Sequence, residues 1–108
     1  MSLDVSLYSA EKKTGLYDAN ITHNLGKMAK EAGIYKALWR PGEIGATHAK
    51  DIIDLLERGL DDLKARPEYF ELFNSPNGWG MYEHFVPFVE KYLEACKQYP
   101  DAEIYSSI

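Results

Sequence analysis

A chain of 108 residues that is 45% hydrophobic and 13% aromatic has apolar material for one buried core without a metal or disulfide staple, and no length to spare for a second. Twelve basic against seventeen acidic side chains leave a net charge of −5, which weakens attraction to phosphate backbones and anionic lipid, so neither nucleic acid nor a membrane surface is an expected partner. A lone cysteine, Cys96, excludes an internal disulfide, no apolar run approaches the ~20 residues of a membrane span, and Met1 to Leu7 lack the features of a secretory signal, so a cytoplasmic location is expected.

Leu3, Val5 and Leu7 alternate with polar residues, which predicts a half-buried strand up to Tyr8. The polar stretch from Ser9 to Gly15 then turns the chain, and Leu16-Tyr17 resumes an extended character, so a hairpin is expected. From Thr22 the period becomes helical. Leu25, Met28, Ala29 and Ala32 share one face, Asn20 or Thr22 is suited to cap it, and Gly33 supplies the stop. Ile34 to Trp39 predict a further short helix cut off by Pro41. Thr47 is placed to cap the next helix, whose stripe of Ile52, Ile53, Leu56, Leu60 and Leu63 runs to about Ala65. Pro67 opens a short helix carrying Tyr69, Phe70 and Phe73. The last helix buries Tyr82, Phe85, Val86, Val89, Leu93 and Cys96 and turns Glu83, Pro87, Glu90, Lys91 and Glu94 to water, and residues 102–106 alternate again as a terminal strand. The expectation is one α+β domain over residues 1–108, with about four helices packed on a small antiparallel sheet formed by the N-terminal hairpin and the C-terminal strand.

Both tryptophans fall in Gly/Pro-bracketed segments, Ala37-Leu38-Trp39-Arg40-Pro41-Gly42 and Asn74-Ser75-Pro76-Asn77-Gly78-Trp79-Gly80. The stretch from Asp18 to Ala29, running on to Leu38-Trp39-Arg40-Pro41, together with Asn77-Gly78-Trp79-Gly80-Met81-Tyr82-Glu83, resembles a family of small uncharacterised proteins of bacteria and their prophages. More distantly it is similar to small immunity-type proteins. The resemblance covers nearly the whole chain from Asp4 and carries over no catalytic or binding residues.

Chemical constellations are sparse. His23, His48 and His84 lie on three different expected helices with no i, i+4 pair, so they are read as unrelated positions and no metal is expected. Cys96 belongs to an apolar stripe, which suits an inert thiol rather than a nucleophile. No Gly-x-Ser-x-Gly elbow is present, residues 42–47 match neither glycine-rich phosphate loop, and no cofactor is expected. The acidic face of the third helix reads as a solvated surface with pairs Asp54–Arg58 and Asp61–Lys64.

Trp39 beside Arg40, and Trp79 between two glycines, combine residue types that dominate binding hot spots, unless both indoles plug the core. Thr22-His23-Asn24 opens the first helix, where backbone N–H groups and polar side chains would join a site if the tryptophan segments converge on them. The expected surface is therefore Thr22, His23, Asn24, Trp39, Arg40, Asn77 and Trp79, on a non-enzymatic protein that binds another protein; a homodimer is also compatible with exposed tyrosines or an open sheet edge. Alternative readings are an immunity-type inhibitor of a toxin, or a small-ligand or hydrolytic pocket with His23 as general base.

Overall fold

Alternation puts Leu3, Val5 and Leu7 on one buried face of strand β1 (Ser2–Ser9) in the computed structural model, which describes residues 2–108; Met1, the first residue of the expected single domain, lies outside the described residues. β1 is the centre of a three-stranded antiparallel sheet of order β2-β1-β3, with β2 spanning Thr14–Thr22 and β3 spanning Glu103–Ser107. Leu3 faces Ile21 and Val5 faces Ala19, while Leu7 lies between Tyr17 on one side and Ile104 on the other. The second hairpin strand is longer than its short aromatic start suggests. It absorbs Leu16 as an irregularity opposite the Leu7–Tyr8 step and continues to Thr22.

At Thr22 the strand passes directly into a helical turn. The Thr22 hydroxyl accepts the Asn24 N–H at 3.4 Å, a 3-10 turn spans His23–Leu25, and helix α1 (Gly26–Glu31) follows. Gly33, at φ 77°, reverses the chain into α2 (Tyr35–Trp39), which ends where Arg40, ahead of Pro41, leaves helical geometry. A further 3-10 turn, Pro41–Ile44, leads to a segment stitched onto the approach to β3: Ile104 N–H donates to Thr47 O at 3.1 Å, and Ala49 N–H to Ala102 O at 2.9 Å.

Thr47 is not the cap of the next helix. The Asp51 carboxylate reaches back to accept the backbone N–H groups of Thr47 and His48, each at 3.0 Å, over a 3-10 turn Ala49–Asp51; those two bonds, Thr47's first, hold its carboxyl below the usual range. Helix α3 (Ile53–Ala65) follows, then α4 (Pro67–Glu71) and α5 (Tyr82–Gln98). The expected charge pairs are also rearranged. Arg58 donates to the Asp54 carbonyl, Lys64 crosses to Glu90 of α5 at 2.8 Å because α3 lies against α5, and the bidentate pair is Asp62–Arg66, with two bonds of 2.7 Å.

The core fills the space between the inner sheet face and the helices. Leu3, Val5, Leu7, Ile21 and Ile104 meet a cluster that includes Phe85, Val89 and Cys96 of α5 and Leu56 and Leu63 of α3. Phe88 and Tyr92 are buried as well, widening the stripe read from the sequence, while Pro87 is exposed on the far side. Ser106 occupies an inner-face position, and its hydroxyl donates at 2.6 Å to the Leu38 carbonyl at the end of α2, fastening β3 to the helical layer. Among the described residues, no helix is long and apolar enough to cross a membrane.

Candidate functional site

The passage from β2 into α1 and the loop before α5 build one groove of about 960 Å³. β2 contributes Asn20 and Thr22, the 3-10 turn contributes His23 and Asn24, and β1 contributes Ser2, whose register opposite Thr22 brings it to the same rim. The other wall is Asn77, Gly78, Trp79 and Gly80, with His84 from the first turn of α5. Thus five of the seven residues expected at a surface, Thr22, His23, Asn24, Asn77 and Trp79, share one concavity across more than fifty residues of sequence.

The loop wall is held from both sides. Asn77 Oδ1 accepts the Trp79 N–H at 2.9 Å and the Ser75 hydroxyl at 2.6 Å, a side-chain turn that fixes the loop tip. Asn24 Nδ2 donates at 2.9 Å to the Trp79 carbonyl, and the Ser75 N–H donates to Gly80 O at 3.0 Å. Gly80 makes this approach possible. Its φ of 110° suits glycine alone, and a Cβ there would lie 2.9 Å from Asn24 Cβ. The Trp79 backbone is fixed, yet its side chain stands in water, with the residue 70% exposed.

Trp39 takes the opposite role. It is 3% exposed and stacked on Tyr35, with centroids 5.1 Å apart and planes 8° from parallel, so it is a core residue rather than a surface anchor. A five-residue helix wedged between β3 and the turns around it has little outer face, and Ala37, Leu38 and Trp39 are buried in succession. Trp39 nevertheless touches the groove from below. Its indole Nε1–H donates to His23 Nδ1 at 3.2 Å, and the two rings meet edge to face. The neighbouring Arg40 is exposed, lies 4.0 Å from the Glu43 carboxylate and is absent from the groove lining.

The indole bond decides what His23 presents. Nδ1 is engaged as the acceptor of the indole N–H, which leaves Nε2 as the ring nitrogen available to the groove, a donor in the tautomer that this bond selects. Sequence reading missed Ser2, Asn20 and His84. The first two require the sheet register, whereas His84 was signalled only by following the tryptophan loop within one helical turn. Two of the three histidines, His23 and His84, line the same groove although their sequence positions read as unrelated; His48 lies apart, on the segment joined to β3.

Among the described residues, the groove lining contains no Asp, Glu, Lys, Arg or Cys. The single thiol, Cys96, is buried in α5 and pushed up to about 12 by that burial, far from a nucleophile's range. Among the described residues no three His, Cys, Asp or Glu side chains converge in a metal-holding group. No family model, no curated protein and no solved structure matches this chain.

Proposed function

We propose that the protein is a non-enzymatic binding module that captures its ligand in the groove between the β2–α1 junction and the Asn74–Gly80 loop, with Trp79 as the anchor. The observation that carries this reading is an exposed indole on a backbone pinned from two sides. An indole buries about 150–250 Å² in a core at about 25 cal/mol per Å², so leaving most of it in water forgoes on the order of 3–4 kcal/mol. Rigid presentation of such a surface lowers the ordering cost that a partner would otherwise bear.

The hydrolytic alternative has less support. A general base in this groove would need an unprotonated ring nitrogen facing the substrate, and the Trp39 bond assigns the accepting nitrogen of His23 to the core side. Among the described residues, no carboxylate lines the groove to orient the ring or share a proton with it.

Capture from an extract of the host cell, with the protein immobilised, tests the reading. A component retained by the native form and lost from Trp79→Ala is the expected result, the variant's fold being verified by circular dichroism. Equal retention by both forms would move binding away from the groove and overturn the proposal.

A further inference from the structure

Four polar side chains around the groove, Asn20, His23, Asn24 and Asn77, each commit one hydrogen-bonding group to the protein and leave another free. Asn24 commits Nδ2 to the Trp79 carbonyl, leaving Oδ1 uncommitted; Asn77 commits Oδ1 to the loop, leaving its Nδ2 donors; Asn20 commits Nδ2 to Asp4 at 2.6 Å, leaving Oδ1. His23 commits Nδ1 to Trp39 and leaves the Nε2–H donor. The internal bonds orient these groups, and what remains among the described residues is a mixed set of donors and acceptors around one flat aromatic face.

This inventory discriminates between ligand classes. A phosphate or carboxylate offers chiefly acceptors and would call for Lys or Arg, neither of which lines the groove among the described residues. A peptide side chain bound in a groove is read through apolar sockets or charged partners, but Ile21 and Leu25 are buried, and among the described residues Trp79 is the one large exposed hydrophobic on the lining. A sugar ring matches both remaining features. Its hydroxyls each donate and accept, and its C–H face carries the partial positive charge that the negative face of an indole attracts. The volume, about 960 Å³, stands at the upper end of the roughly 300–1,000 Å³ of ligand clefts, with room beyond a single ring.

We infer that the groove is a binding site for a neutral saccharide, with one ring stacked on Trp79 and its hydroxyls bonded by Asn24, Asn77 and His23. The inference rests on the groove being the capture surface and narrows its occupant to uncharged, hydroxyl-rich rings. The protein, isotopically labelled, is titrated with neutral linear oligosaccharides of glucose and of N-acetylglucosamine, with inorganic phosphate and an uncharged Gly-Ser-Ala peptide as comparison probes. The saccharides should move the Trp79 indole signal and the Asn24 and Asn77 side-chain amides. Affinity should fall roughly tenfold or more in Trp79→Ala, survive in Trp79→Tyr, and be indifferent to added salt. The buried Trp39 indole N–H serves in every variant as the check that the core is intact.

Phosphate or the peptide moving these signals while the saccharides do not would overturn the saccharide assignment and leave the groove as a binding site. Saccharide binding undiminished by Trp79→Ala would overturn it too. Silence toward all the saccharides also overturns it, and host-extract capture then decides separately whether the groove binds anything.

Discussion

Gly59 is inside α3 because there is no space for a methyl group: a Cβ would stand 2.3 Å from Ile34 Cγ2 and 3.1 Å from the Ala32 carbonyl oxygen. Alanine would favour the helix by about 1 kcal/mol, but forcing a methyl into a filled site costs about 1–3 kcal/mol, and the Ala32 backbone has little freedom to retreat. Gly59→Ala should therefore lower stability despite the better helix former, seen as a lower urea midpoint; a raised midpoint would show that Ile34 swings aside. The two tryptophans teach a related lesson. In sequence both are large aromatics between helix-breaking residues, and nothing local separates a plug from an anchor. Their fates differ because Trp39 closes a short helix enclosed by neighbours, whereas Trp79 stands between glycines at φ 80° and 110° whose backbone carries the chain outward. The side-chain types of the site were legible, while the burial of Trp39, the position of Arg40 off the lining and the contributions of Ser2, Asn20 and His84 depended on contacts between distant segments.

At the scale of elements, the Asn74–Gly80 loop and α5 form one unit. Asn74 Oδ1 accepts the Tyr82 N–H at 2.6 Å, satisfying a first-turn amide of α5 from eight residues upstream, a service usually given by the residue just before a helix. Asn74→Ala should cost about 1 kcal/mol, the typical worth of such a cap, and speed hydrogen exchange in the first turn of α5 more than in its last turn. Exchange raised evenly along the helix would assign the bond to global stability instead. The helices and strands themselves were legible wherever an apolar period ran long enough, as in β1, α3 and α5. Short pieces were less so. The extension of β2 to Thr22 lacks strong alternation, and the 3-10 turns before α1 and α3 follow from how the chain must bend off the sheet. Likewise, Asp51 displaced Thr47 as the capping group because a carboxylate can take two backbone N–H groups at once.

Over the whole molecule, burial governs the response to alkali. Cys96 is raised from an ordinary 9.0 to about 12 by desolvation, and Tyr92, one turn earlier and equally enclosed, is raised as well. Above pH 9.0 the unfolded chain releases the thiol proton that the folded chain still holds, so stability is fully present below that pH and is lost as pH rises toward about 12. Urea midpoints should hold steady near neutrality and fall through this window, less steeply in Cys96→Ala; a flat profile would mean that the thiol is less enclosed than its surroundings imply. The sheet imposes a different order, one of distance along the chain. β1 and β2 are neighbours in sequence, whereas β3 can reach the other edge of β1 only when residues 103–107 are present. The β1–β2 pairing closes across a short turn and the β1–β3 pairing across most of the described residues, so the groove's strand wall needs only a local contact while the central strand keeps an open flank until a distant segment returns to it.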